Sequence, residues 1–135
     1  MQSKATKISI ANLMKALQNK KAVKLLNKLI DDASKNGLIT NTAIEDLKTL
    51  RPFTITEEIP LLAKATRLAY EHIDEYGTFA IPIPDEESIE NEEETIAVES
   101  DVNESFHYFL SLISNVDKKV NEDELREYVT ALREY

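Results

Sequence analysis

Apolar residues recur at helical spacing along most of this 135-residue chain, and this periodicity is the strongest constraint on its fold. It is clearest between Pro60 and Gly77, because proline suits the first turn of a helix and glycine suits its C-terminal end. The apolar residues of that stretch share one helix face: Leu61, Leu62, Ala65, Leu68, Ala69 and Ile73. We therefore predict a long helix ending near Glu75, with Thr54 or Thr56 as its cap.

Two apolar stripes precede this helix. The first covers residues 9–18, with Ser9 available to cap it, and the second runs from Val23 to a stop at Gly37. The polar residues between the stripes favour a break near Asn19. The N-terminal region is therefore predicted to hold two helices.

The next predicted helix is short. Thr40 or Asn41 can cap it, and Pro52 should end it, because the residue before a proline disfavours the helical conformation. The C-terminal region returns to helical periodicity over 103–113 and 121–132. There Asn103 and Asn121 are the predicted caps.

The middle of the chain breaks the helical pattern. Two prolines within 79–84 exclude a helix there, and alternating apolar residues in 79–83 suit an extended or edge strand. Seven of the ten residues in 85–94 are acidic, which is typical of a solvated loop. A β-prone stretch at 95–98 could pair with 79–83 across that loop.

These patterns predict a mainly α protein. We expect a compact bundle of about five or six helices, with an extended acidic insertion near 78–100 that either stays irregular or forms a β-hairpin. A single helical domain is predicted to cover 1–135, with an acidic loop or linker at 84–104 inside it.

Charge is divided unevenly along the chain, whose net charge is −9. Residues 1–53 hold ten Lys and Arg against four Asp and Glu, whereas residues 54–135 hold six against twenty-one. A predominantly anionic protein repels nucleic-acid phosphate, so we predict no nucleic-acid partner. Opposed charge blocks fit contacts within the fold, a homo-oligomer, or a protein partner that carries a basic surface.

Composition excludes several kinds of chemistry. The chain has no cysteine, no long apolar run and only Gly37 and Gly77 as glycines, which argues against disulfides, thiolate sites, membrane spans and phosphate-binding loops. Ser105 and His107 are two residues apart and so would face different sides of a helix, while His72 suits a surface position. We therefore predict a cytoplasmic protein without cofactor, metal or catalytic activity.

Two predicted inter-helix loops partly match the pattern of a calcium-binding EF-hand loop. In 32–43, Asp32, Ser34, Asn36 and Gly37 occupy suitable positions, but Ala43 replaces the glutamate that normally supplies two of the ligand oxygens. In 113–124 the closing Glu124 is present, but a lysine stands at the glycine position. We predict that both loops are ordinary connections between helices, with weak calcium binding as the alternative.

The resulting prediction is a non-catalytic helical protein–protein interaction module, either an adaptor or a component of a larger assembly. The alternative is an acidic inhibitor or immunity-type protein that masks a basic site on its target. The candidate partner-binding residues are Glu90, Glu92, Glu93, Glu94 and Tyr108.

Overall fold

The computed structural model of the protein describes residues 15–84 and 99–135, and its regular elements are five α-helices. They are α1 (Lys20–Asn36), α2 (Thr40–Thr56), α3 (Pro60–Tyr76), α4 (Glu99–Ser114) and α5 (Lys119–Glu134). Within those two ranges no strand occurs, and the mainly α prediction is confirmed. Helix α2 packs along α3, α1 contacts α2 and α4, and α5 contacts α3 and α4.

The core is aromatic at its centre. Phe79, which lies outside any helix, packs against three buried rings, with centroids 5.3 Å from Phe106, 5.1 Å from Phe109 and 5.9 Å from Tyr128. Such ring pairs stabilise a fold by about 0.5–1.5 kcal/mol each beyond the burial of their area. Phe79 therefore fixes the chain after α3 against α4 and α5.

Asn19 is the N-terminal cap of α1 and lies at the predicted break. Its side chain accepts hydrogen bonds from the backbone N–H groups of Lys21 at 2.8 Å and Ala22 at 3.2 Å. Residues 15–18 are not helical, so the helix predicted over 9–18 does not extend through them, and residues 9–14 lie outside the described ranges. The Glu57 carboxylate accepts N–H bonds from Gln18 and Asn19 and so ties this segment to the end of α2.

The connection from α1 to α2 is too short for a calcium loop. Helix α1 continues to Asn36 and α2 begins at Thr40, so three residues stand where an EF-hand needs a loop of about twelve. Gly37 has φ 72°, and a Cβ there would lie 2.5 Å from Nδ2 of Asn103. The Asn103 Oδ1 atom in turn accepts the N–H of Leu38 at 2.9 Å.

Helix α2 passes through Pro52, so the predicted stop there is wrong. Two buried side chains of the same helix, Leu50 and Thr54, hold its last turn in the core, and this packing outweighs the unfavourable proline. Thr54 also donates a hydrogen bond to the carbonyl of Arg51 at 2.6 Å. Thr54 and Thr56 thus belong to α2 and do not cap the following helix, and no side chain caps α2 at Thr40 or Asn41.

Helix α3 begins with Pro60 in its first turn and ends at Gly77, as predicted. Gly77 adopts the left-handed conformation, with φ 72° and ψ 9°, and its N–H donates to the carbonyl of Ile73 at 2.7 Å. The turn before α3 contains Glu58 with φ 60°, a conformation that is unfavourable for a residue with a side chain.

The strand predicted over 79–83 is not formed, because its backbone bonds to side chains. The N–H of Ala80 donates to Nε2 of His72 at 3.0 Å, and the carbonyl of Ile81 accepts from Ser105 Oγ at 2.5 Å. The insertion predicted near 78–100 is therefore irregular through residue 84. The other predicted strand, 95–98, lies outside the described residues.

The two C-terminal helices start earlier than predicted. Helix α4 begins at Glu99, so the acidic linker predicted over 84–104 ends sooner and Asn103 lies inside the helix. Helix α5 begins at Lys119, and Asn121, also inside a helix, donates from Nδ2 to the carbonyl of Asn115 at 3.0 Å. The loop predicted over 113–124 is therefore reduced to four residues, which again rules out EF-hand geometry there.

Candidate functional site

The described structure contains one of the five predicted partner-binding residues. Glu90, Glu92, Glu93 and Glu94 lie between residues 84 and 99, outside the described ranges. Tyr108 lies on α4, half-buried, where its hydroxyl donates a hydrogen bond to the Glu124 carboxylate on α5. It links two helices, and a role in partner binding stays a prediction.

His72 differs from its predicted surface position. It is 5% exposed, and its Nε2 atom accepts the N–H of Ala80. Burial lowers the pKa of His72, and the nearby Glu75 carboxylate opposes this shift. The rings of Tyr76 and Tyr135 pack on the imidazole with centroids 4.8 Å and 4.7 Å away. A neutral imidazole whose Nε2 lone pair is already used serves to hold the 79–84 segment.

An open cleft lies between α3 and α5 in the described part of the chain. Its volume is about 380 Å³, a size within the usual range of ligand sites. Residues from the first two turns of α3 form one wall and residues from the second half of α5 form the other. The lining residues are Pro60, Leu61, Lys64, Arg126, Val129, Thr130 and Arg133. We call this site the cationic cleft.

All ionisable side chains that line the cationic cleft are positively charged. They are Lys64, Arg126 and Arg133, although the chain as a whole has 25 acidic residues and a net charge of −9. Only six Lys and Arg occur in residues 54–135, and half of them line this one cleft. The N-terminus of α3 lies in the same wall, and its dipole adds to the positive potential.

The three cations differ in how they are held. Arg126 donates from Nε and Nη2 to Oε2 of Glu122, at 3.1 Å and 2.8 Å, and Glu122 is a carboxylate only 8% exposed. Lys64 and Arg133 are exposed, and no carboxylate of the described residues forms an ion pair with either of them. One cation is therefore fixed and two are available to a ligand.

The floor of the cationic cleft is apolar. Leu61 is 8% exposed and Val129 is 5% exposed, and each belongs to the core of the protein. Pro60 and Thr130 stand at the rim, both exposed. The cleft thus offers hydrophobic contact below and positive charge above.

Sequence reasoning missed this site because its residues come from two segments about sixty positions apart. Separately, Lys64 is one of several charges on α3, and Arg126 and Arg133 resemble an ordinary solvated helix face. The available signal was their i, i+7 spacing on a single face of α5. Only the packing of α5 on α3 shows that this face meets Lys64.

Within residues 15–84 and 99–135, no three His, Asp or Glu side chains form a group able to hold a metal ion. No helix in those ranges is both long and apolar enough to span a bilayer.

The described residues thus define an all-helical protein with an open cleft that is cationic at its rim and apolar at its floor. No family model matches the chain, and comparisons with curated proteins and with solved structures find no match either.

Proposed function

We propose that the protein is a non-catalytic protein–protein interaction module that holds a segment of a partner protein in the cationic cleft. The observation that carries this proposal is the cleft itself, where Lys64, Arg126 and Arg133 converge over Leu61 and Val129. Arginine is enriched in the cores of protein interfaces, because its side chain combines charge, planarity and apolar contact.

The chemistry of the lining supports binding. Its side chains are three cations, one hydroxyl and three apolar groups. General acid–base or nucleophilic catalysis needs a base positioned beside the reacting group. The Thr130 hydroxyl has no histidine or carboxylate beside it in that lining. A helical scaffold with such a cleft fits an adaptor or a component of a larger assembly.

The proposal is tested by reversing charge in the cleft. The double variant Lys64→Glu/Arg133→Glu removes both available cations, and Lys21→Glu/Lys24→Glu makes the same charge change at exposed positions of α1. Wild-type protein, cleft variant and control are each immobilised and used to isolate partners from the native host. Circular dichroism first confirms that all three are folded.

We expect one partner to be retained equally by wild type and by the α1 control. Its recovery on the cleft variant should fall about tenfold, because reversed rim charges repel a complementary surface. Equal recovery by all three proteins, or a loss confined to the α1 variant, would reject the cleft as the binding site.

The inhibitor alternative depends on a different part of the chain. It requires Glu90, Glu92, Glu93 and Glu94, which lie outside the described ranges, and it stays a prediction from their charge alone. Weak calcium binding is not carried forward, because neither candidate loop has the length of an EF-hand loop.

A further inference from the structure

The rim of the cationic cleft presents positive charge at separated points. Lys64 belongs to α3 and Arg133 to α5, and both are exposed without an ion pair among the described residues. Arg126 uses Nε and Nη2 to bind Glu122, and a guanidinium carries five N–H donors, so further donors remain for a ligand. Two cations without an ion pair are matched by a ligand that carries at least two negative charges.

The floor of the cleft favours an apolar group, although Leu61 and Val129 contribute little area because they are only 8% and 5% exposed. Leu61 and Val129 are almost fully covered by the core, yet both reach the cleft surface. Covering the rest of their apolar area, together with the Pro60 ring, yields about 25 cal/mol for each Å² removed from water. A ligand without an apolar group would leave that apolar area exposed to water.

We infer that the occupant of the cationic cleft is an acidic peptide segment of the partner, in which an apolar side chain is flanked by carboxylates. The apolar side chain contacts Leu61 and Val129, and the carboxylates pair with Lys64 and Arg133. Charge complementarity carries the inference, which rests on the proposed function.

Other anions fit the cleft less well. The cations are exposed and come from two helices, and exposed ion pairs contribute only about 0–1 kcal/mol each, so a single inorganic phosphate gains little. A nucleic acid extends beyond the cleft over the surface of a chain whose net charge is −9, which repels its phosphates. A short acidic peptide stays within the cleft, pairs with both exposed cations and also covers the apolar floor.

The test uses a short fluorescein-labelled peptide in which one leucine is flanked on each side by glutamates. One matched peptide replaces the glutamates with glutamines, and a second replaces the leucine with serine. Binding is measured by fluorescence anisotropy at low and physiological salt. The bound surface is mapped from amide shifts of the ¹⁵N-labelled full chain.

We expect shifts at Leu61, Lys64, Val129 and Thr130. The glutamine peptide should bind about tenfold more weakly than the acidic peptide, and the serine peptide several-fold more weakly. Added salt should weaken the binding of the acidic peptide. The variant Lys64→Glu/Arg133→Glu should also lose about tenfold in affinity, while Lys21→Glu/Lys24→Glu stays within about twofold of wild type.

Three outcomes would overturn the inference: equal binding of the glutamine peptide, shifts centred on the lysines of α1, or a short RNA that displaces the peptide from the cleft. Failure here is separable from failure of the proposed function. If charge reversal in the cleft abolishes partner recovery but the acidic peptide does not bind, only the acidic occupant is rejected. If partner recovery is unaffected, the interaction site itself is rejected.

Discussion

The imidazole of His72 on α3 accepts a hydrogen bond from the backbone N–H of Ala80, with Nε2 and N 3.0 Å apart. This bond joins a buried side chain to the irregular segment that follows the helix. Because an acceptor Nε2 carries no proton, the folded protein favours neutral histidine, in agreement with the pKa of His72, which burial lowers.

The first prediction concerns pH. An unfolded histidine titrates near its ordinary pKa of 6.5, and that of folded His72 lies lower. The unfolded chain therefore binds the proton more readily. The contribution of neutral His72 to the free energy of unfolding is therefore complete above pH 6.5. It is lost as pH falls below that value toward the lowered pKa.

Urea unfolding at pH 7.5 and pH 5.5 measures this loss, with His72→Gln as the comparison, because glutamine can accept the same bond but does not titrate. His107 is present in both proteins and contributes equally. We expect the free energy of unfolding to fall further in wild type than in the variant. An equal fall in both proteins would exclude His72 as the source.

The second prediction concerns Gly37. Its positive φ and the position of Asn103, whose Nδ2 would lie 2.5 Å from a new Cβ, both oppose a side chain. Gly77 has the same φ of 72° but lies in the left-handed region, with ψ 9°, and nothing lies within 4 Å of its Cβ position. The ψ of Gly37 is −165°, a conformation that is essentially restricted to glycine.

We expect Gly77→Ala to lower the free energy of unfolding by about 1 kcal/mol, the cost of a left-handed non-glycine residue. Gly37→Ala should lower it further for two reasons: the ψ of −165° is unfavourable for alanine, and Asn103 must move, which weakens its bond to Leu38. Chemical denaturation of both variants provides the comparison, and a smaller effect at Gly37 than at Gly77 contradicts the described contact.

The third prediction concerns Glu58 in the turn between α2 and α3. Its φ of 60° places a residue with a Cβ in the left-handed region, at a cost of roughly 1–2 kcal/mol. Glycine removes that strain but adds freedom to the unfolded chain, worth about 0.4–1 kcal/mol in the opposite direction.

Glu58→Gly should therefore raise the free energy of unfolding by about 0.5 kcal/mol. Glu45→Gly, at an exposed position inside α2, should lower it by about 1 kcal/mol. Urea midpoints of the two variants check the signs of these changes. A lower free energy of unfolding in Glu58→Gly would show that residue 58 does not hold a positive φ.

The fourth prediction concerns Ser105. Its buried Oγ donates to the carbonyl of Ile81 at 2.5 Å and lies 2.8 Å from the hydroxyl of Tyr128. Alanine at this position leaves a buried carbonyl without that donor, which typically lowers the free energy of unfolding by about 1–3 kcal/mol.

Ser111→Ala is the matched control, since Ser111 is half-buried and its hydroxyl donates to the carbonyl of Tyr108 in the same helix. It should change the free energy of unfolding by less than about 0.5 kcal/mol. Hydrogen exchange at Ala80 should also quicken in Ser105→Ala alone. Equal effects of the two alanines would argue against a special role for the Ile81 bond.

Local signals in the sequence predicted the elements that local chemistry controls. The break near Asn19, the proline at the start of α3 and the glycine at its end were predicted correctly, because each acts within one helix turn. The caps predicted at Asn103 and Asn121 were wrong, because both helices begin earlier than their periodicity indicates. Pro52 was misread because the burial of Leu50 and Thr54 on the same helix outweighs a local preference.

The candidate site depends on tertiary packing, which local patterns do not encode. His72 has polar neighbours in sequence, yet the chain folds back and places Ala80 and Tyr135 against it. Likewise, Lys64 and Arg133 become neighbours of one cleft only because α3 and α5 pack together. Composition indicated an acidic protein, and the fold concentrates three of its sixteen cations in a single place.

The bond between Ile81 and Ser105 fastens the chain on both sides of residues 82–104. The same Ser105 Oγ lies 2.8 Å from the Tyr128 hydroxyl, so a single side chain of α4 joins the segment after α3 to α5. Its two partners are 24 and 23 positions away along the chain. Ser105 is therefore a tertiary cross-link, and its loss should loosen the segment after α3 and helix α5 together.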